Sequence, residues 1–260
     1  MQIKKGDIVG RFSYNSDILF FVDKIIENRA ILKGINIRIE ADALIEDLRK
    51  IDTKRVTNLM RDIENNVHKQ LNKIKFIENT GKILHLDGDK RYSEKTLKYY
   101  KKIGVNAIVK NISESKQPQF VVPLLQKYQP DILVITGHDS MMKNGKNYYD
   151  ISNYRNSKYF IKSVINARKW QNSSDKLVIF AGACQSFYEA IMEAGADFAS
   201  SPGRILIDFI DPIIVANKIA TTEKNVYVSA REISKLVKEG EKGVSGIGAR
   251  GKKKVYKTNM

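Results

Sequence analysis

The sequence predicts an α/β protein: a mostly parallel sheet with helices on both faces, preceded by a small SH3-like β-barrel module. Three observations predict it. From Gly81 onward, short apolar runs alternate with helix-like segments, the βαβ rhythm that makes neighbouring strands parallel. Two of those runs, residues 131–136 and 176–181, are apolar almost throughout, as strands covered on both faces must be. The first 40 residues instead carry a succession of short apolar runs with no helical segment between them.

Taken in order, residues 6–9 start a strand after a turn. Residues 18–22 and 30–34 supply two more, and residues 35–39 (Ile-Asn-Ile-Arg-Ile) alternate with the period of a half-buried strand. Together they predict the barrel over residues 1–50, a fold that names no function. Residues 51–80 follow as a connecting helix. The stretch 54–79 lacks Gly and Pro and places Val56, Leu59, Met60, Ile63, Val67, Leu71 and Ile74 at helical spacing. His68 on that helix reads as polar surface, because a catalytic base needs a nucleophile within reach.

The α/β domain is expected over residues 81–240. Its strands are read at 82–87, 105–109, 131–136 and 176–181, with further pieces around 197–200 and 225–228. Its helices are read at 93–103, 119–128 (after Pro118), 153–170, 185–194 and 231–239. Residues 241–260 read as a Gly-rich basic tail. Its stretch Gly243 to Gly251 lacks the glycine order of a phosphate loop, so it is expected to be flexible chain.

Composition narrows the function classes. Lys+Arg total 45 against 29 Asp+Glu, a formal net charge of +16. The lysines are scattered, and Lys252-Lys253-Lys254 is the one basic run, so the charge lacks the stripe that marks a nucleic-acid binder. A single cysteine excludes a disulfide framework and a cysteine-cluster zinc site, and points to a reducing compartment. Residues 1–7 have no apolar core of a signal peptide. No run approaches the ~18 apolar residues of a membrane span. The expectation is a cytoplasmic protein with no membrane partner. No His, Cys and Asp cluster has ligand spacing, so no metal or other cofactor is expected.

Chemistry concentrates at two strand ends. The third strand of the domain runs out in Thr136-Gly137-His138-Asp139-Ser140, and the fourth in Ala181-Gly182-Ala183-Cys184-Gln185-Ser186. Each is a buried strand followed by glycine and one reactive residue, at the carboxyl edge where α/β sheets bind ligands. If the two strands are neighbours, His138 and Cys184 face each other across ~4.8 Å. Cys184 is also expected to open the next helix, whose positive end would favour a thiolate. Alone, a cysteine is more often a small buried hydrophobe. Its equivalence with His138 on the adjacent strand favours a nucleophile with a general base. His85, flanked by Leu84 and Leu86, is the rival base. It reads as a core histidine because it lies before the strand's end.

His138 precedes Cys184 by 46 residues. In the caspase signature a His lies about 50 residues before a Gln-Ala-Cys segment, and Ala183-Cys184-Gln185 keeps the centre of that segment. The domain resembles the caspase-like cysteine peptidase clan that includes clostripain, gingipain, legumain and separase. Leu84-His85-Leu86-Asp87-Gly88-Asp89, Ile135-Thr136-Gly137-His138-Asp139 and Gly182-Ala183-Cys184-Gln185-Ser186 are similar to the YabG family of sporulation-specific proteases, over nearly the full length. The resemblance implies a caspase-like fold and a cysteine endopeptidase that processes spore coat and cortex-related proteins. Cleavage would follow basic residues, Arg foremost, in the mother cell and the developing spore coat, with Cys184 as nucleophile and His138 as base.

In that clan the end of the first strand lines the pocket for the residue before the scissile bond. Asp87 and Asp89 are therefore candidates to pair with an arginine there, although Asp-Gly-Asp is also ordinary turn chemistry. Asp208 and Asp211 are the further candidates. Asp208 sits in the apolar stretch 205–210, where an unpaired carboxylate is costly. The clan has glycine directly after its histidine, whereas here Gly137 precedes His138 and Asp139 follows it. The backbone N–H of Cys184 and one near Asp139 are the expected oxyanion donors. Such a protease would also cut itself, at Arg49-Lys50, Lys54-Arg55 or Arg250-Gly251-Lys252. The competing readings are a non-enzymatic coat- or nucleic-acid-binding protein with a basic surface, and a thiol hydrolase of small amides.

Overall fold

The computed structural model describes residues 2–142 and 147–254. The chain divides into two compact units, Met1–Ile74 and Lys75–Met260.

The first unit holds β1 (Ile8–Arg11), β2 (Phe20–Ile26), β3 (Arg29–Gly34), β4 (Glu40–Leu44), β5 (Leu48–Lys50) and α1 (Thr53–Leu71). The strands form one antiparallel sheet in the order β4-β3-β2-β1-β5. Val9, Phe20, Val22, Ala30 and Leu32 are fully buried and form its core. Residues 35–39, expected as a strand, are instead the connection between β3 and β4. The Gly34 N–H donates to the Ile39 carbonyl at 3.0 Å, and Ile35 and Ile39 are buried. Between them Arg38 is fully buried and Ile37 is not, so the apolar alternation here marks neither a strand nor a buried face. The strand lies one step later, in Glu40-Ala41-Asp42-Ala43-Leu44, where weak β formers are held by pairing along β3. Helix α1 starts at a side-chain cap, Asp52 accepting the Arg55 N–H at 2.8 Å, and ends at Leu71, before the expected residue 79.

The second unit begins β6 (Ile83–Asp87), α2 (Lys90–Lys102), β7 (Ala107–Asn111), α3 (Gln117–Tyr128), β8 (Ile132–Thr136), α4 (Ser157–Trp170), β9 (Val178–Ala181) and α5 (Tyr188–Glu193). It continues β10 (Phe198–Ser200), α6 (Asp211–Thr221), β11 (Tyr227–Val228), α7 (Ala230–Ser234), α8 (Gly240–Gly243), β12 (Val244–Gly246) and β13 (Ala249–Arg250). Its main sheet has the order β12-β10-β9-β8-β6-β7, parallel throughout except for the β12 edge. The mixed α/β architecture is therefore as expected. One face of the sheet (Leu84, Leu86, Leu133, Ile135, Ile179, Ala181) packs on Val121 and Leu125 of α3 and on Phe160 and Val164 of α4. Helices α2 and α6 also pack on the sheet, against β6 and against β8 and β9.

The second unit also departs from expectation, and the helix expected over 231–239 ends at Ser234. Helix α6 was not anticipated, because Asp211 to Asn217, Ile219 and Ala220 are all buried and a helix buried all round shows no amphipathic period. The helix expected from residue 185 begins only at Tyr188. Gln185 takes a left-handed φ of 53°, so the chain turns there before it can coil. The stretch 243–251, expected to be flexible chain, is built into sheets: β12 pairs with β10 and β13 with β11. Its glycines serve close packing, since a Cβ at Gly246 would lie 2.1 Å from the Asp197 carbonyl oxygen. Beyond it, Lys252 is buried and its Nζ donates to the Ser174 and Asp175 carbonyls at 3.0 Å each. Residues 255–260 of the expected tail lie outside the described residues.

Candidate active site at the carboxyl edge of the sheet

Strand register decides what meets at this edge. Leu86 of β6 pairs with Ile135 of β8, and Ile135 pairs with Ala181 of β9. Three residues beyond each of these stand Asp89, His138 and Cys184. A carboxylate, an imidazole and a thiol thus leave three adjacent parallel strands at one level. The strand ends are tied together, with the Thr136 hydroxyl donating to the Gly182 carbonyl and the Gly88 N–H to the Thr136 carbonyl.

His138 is fully buried. Its Nε2 lies 3.9 Å from Asp89 Oδ2, and its ring is tilted against Tyr92 of α2 at 5.3 Å between centroids. Its backbone is gripped from two sides: the N–H donates to Glu114 Oε1 at 2.8 Å, and the carbonyl accepts from Asn156 Nδ2 at 2.8 Å. The buried Glu114 carboxyl explains two glycines. A Cβ on Gly88 or Gly137 would approach Glu114 Oε1 to 2.1 or 2.3 Å. Asp89 caps α2, Oδ1 accepting the Arg91 N–H at 2.8 Å, and also pairs with the Arg91 guanidinium at 2.8 Å.

Cys184 is fully buried in the turn between β9 and α5. Its Sγ accepts the Ile207 N–H at 3.3 Å and its S–H faces the Ile207 carbonyl at 3.6 Å. The neighbouring Gln185 N–H donates to Ser201 Oγ and to the Ile205 carbonyl. The segment 201–210 therefore lies across the thiol. It also reaches the histidine side, since the Phe209 ring lies tilted against Tyr92 at 5.2 Å between centroids. Because Cys184 precedes α5 by a left-handed turn, the dipole of that short helix does not act on the sulfur as expected from the sequence.

The side chain of Asp139 joins the two turns. Oδ1 accepts the N–H groups of Ser140 (2.9 Å) and Asn156 (2.8 Å); Oδ2 accepts the hydroxyls of Ser157 and Ser186 (3.0 Å). Burial pushes this carboxyl up from 3.8 to about 6, against the pull of all four hydrogen bonds. From the sequence only the backbone of Asp139 enters the site; the role of its side chain, like those of Glu114, Asn156, Ser157 and Ser186, is not legible there. Asp-Ser following the histidine was the one available signal.

The other candidates are placed as follows. His85 lies in the sheet interior, Nδ1 at 3.1 Å from the Tyr100 hydroxyl and Nε2 at 3.9 Å from Asp87. Asp87 is fully buried and accepts the Asp89 N–H at 2.9 Å. Asp211 is fully buried in the first turn of α6, where the helix dipole favours an anion. Asp208 alone of the four pocket candidates is partly exposed, between Ile207 and Phe209. The expected self-cleavage points fall within secondary structure: Arg49-Lys50 in β5, Lys54-Arg55 in the first turn of α1, and Arg250 in β13. Among the described residues no group of three or more His, Cys, Asp or Glu side chains could hold a metal ion, and no helix is long and apolar enough to cross a membrane.

The chain matches the family model described as YabG peptidase U57 over residues 4–257. It is 37% identical, over 292 aligned positions covering the whole of both chains, to the sporulation-specific protease YabG of Bacillus subtilis. No solved structure matches it.

Proposed function

The chain belongs to the YabG peptidase U57 family, and from that premise we propose that it is a cysteine endopeptidase acting on protein precursors during sporulation. Cys184 is the nucleophile and His138 the general base. One observation carries this reading. The only cysteine of the chain and His138 each stand three residues past the registered pair Ile135–Ala181, in the turns that leave two adjacent strands at the carboxyl edge.

The chemistry follows from the side chains. Asp89, beside Nε2, stabilises an imidazolium and so leaves Nδ1 to act toward Cys184. The thiolate attacks the scissile carbonyl, and the backbone N–H groups of Cys184 and Asp139 hold the oxyanion. His138 then protonates the leaving amine, giving a thioester, and water activated by the same imidazole releases the acid. Substrate entry displaces the 205–207 backbone from the sulfur, because both the Ile207 N–H and the Ile207 carbonyl lie on the buried thiol. The substrates proposed are spore coat and cortex-related precursors, cut after Arg. Asp208, on the segment that covers the thiol, is the carboxylate best exposed to meet the guanidinium.

The test is coexpression of a coat precursor with the wild type, Cys184→Ala or His138→Ala, followed by mapping of new N-termini. New termini after Arg with the wild type alone support the proposal. Unchanged processing by Cys184→Ala refutes it.

A further inference from the structure

The nucleophile turn, residues 183–187, is held at both ends by serine hydroxyls. The Ala183 N–H donates to Ser186 Oγ at 2.9 Å, and the Phe187 N–H donates to Ser157 Oγ at 2.8 Å. Each hydroxyl, having accepted a hydrogen bond from a backbone N–H, donates its own, and both hydroxyls donate to the same atom, Asp139 Oδ2. The other oxygen faces the histidine side. Oδ1 accepts from Ser140, next but one to His138, and from Asn156, whose amide holds the His138 carbonyl. One carboxylate thus closes a hydrogen-bonded ring through the His138 turn, the start of α4 and the Cys184 turn. All of these groups lie in the second unit.

We propose that Asp139 is a positioning residue of the peptidase, holding the Cys184 turn against the His138 turn through Ser157 and Ser186. This rests on the Cys184–His138 reading and extends it: sheet register brings the two residues to one level, and Asp139 fixes the loops beyond the register. The ionised form suits the role, since all four partners are donors and a protonated oxygen would meet one of them head on. Asparagine cannot replace it. With its carbonyl oxygen toward Ser140 and Asn156, its NH2 would face two hydroxyl protons. The charged and titratable groups around the site are His138 on the same turn, with Asp89 and Glu114 against it, Cys184 on the opposite turn, and Tyr154 and Arg155 on the approach to α4, with Arg204 and Glu189 beyond Tyr154.

The experiment uses the full-length protein with a fluorogenic peptide amide carrying Arg before the scissile bond, and iodoacetamide as the thiol probe. Variants are Asp139→Asn, Ser186→Ala, Ser157→Ala and the control Cys184→Ala. Misplacing reacting groups by ~1 Å costs about 100-fold, so Asp139→Asn is expected to lose that much kcat with KM little changed. The pH profile of Cys184 alkylation should change, because the thiolate loses its placement beside the imidazole. Each serine variant, with one arm removed, should fall between. A purely structural role would lower stability and leave the alkylation profile of the folded protein in place. Wild-type kcat and alkylation profile in Asp139→Asn overturn the inference. Should that variant fail to fold, the same result in both serine variants overturns it. Activity in Cys184→Ala sinks the nucleophile reading instead, and is distinguishable from either outcome.

Discussion

The carboxyl of Asp139 should make the second unit less stable as it ionises. It is fully buried and its pKa is raised from 3.8 to about 6. A folded-state pKa above the unfolded one means that the folded protein binds the proton more tightly. The stabilisation is fully present below pH ~4 and is lost as pH rises through about 6. At ~1.36 kcal/mol per pH unit, the interval from 3.8 to about 6 is worth about 3 kcal/mol. Asp139→Asn does not titrate, so the difference in unfolding free energy between wild type and variant should fall by roughly 2 kcal/mol of that span from pH 4 to pH 7. Trp170, the single tryptophan, lies at the end of α4, whose first turn holds Asp139. Its fluorescence in urea at matched pH values therefore reports the right unit. Subtracting the variant removes the other carboxylates common to both proteins. Parallel stability curves across that range would refute the account of a carboxylate kept ionised against burial. The sign matters for function: at neutral pH the protein gives up stability to keep a four-fold acceptor between its two reactive turns.

Other expectations follow from the same geometry. Cys184→Ala and His138→Ala should each abolish peptide cleavage by the folded protein, whereas His85→Asn should keep it while losing ~1–3 kcal/mol in urea unfolding; activity in His138→Ala with none in His85→Asn would reverse the assignment. Asp208→Asn should lower kcat/KM for an Arg substrate by about one to two orders of magnitude, the ~1.5–3 kcal/mol of hydrogen bonds to a charged group at a partly exposed site, without slowing Cys184 alkylation. Asp89→Asn should slow both, since it touches His138; equal effects of the two variants on alkylation would contradict the division of roles. Gly137→Ala places a Cβ 2.3 Å from Glu114 Oε1 and should cost ~1–3 kcal/mol as well as most activity, read by melting temperature and kcat together; a wild-type value of both would show that Glu114 yields freely.

Much of the second unit was legible because its strands are buried on both faces. Residues 132–136 and 178–181 announce themselves as continuous apolar runs, and glycine after each marks where the chain leaves the sheet. The first unit was harder. Its strand β4 is made of weak β formers held by their partner, while the apolar alternation at 35–39 belongs to a turn. Helix α6 escaped because burial on every side erases the period by which a helix is recognised. The Gly-rich stretch near the C-terminus was misread because glycine permits a flexible chain and a tightly packed one alike, and only the neighbours of Gly246 and Gly251 decide between them.

By itself the sequence determined that one cysteine and one histidine end successive buried strands. Side-chain chemistry and hydrophobic pattern are local, and they needed no tertiary information. It could not determine that Asp89 joins the same row, that Glu114 and Ser157 reach the histidine turn, or that Ile207 covers the thiol. Those contacts span 18 to 49 residues and depend on strand order and on where loops return. Only the folded chain sets them. Parallel strands bring their carboxyl ends together regardless of their separation in sequence, and burial there forces every polar group to find a partner.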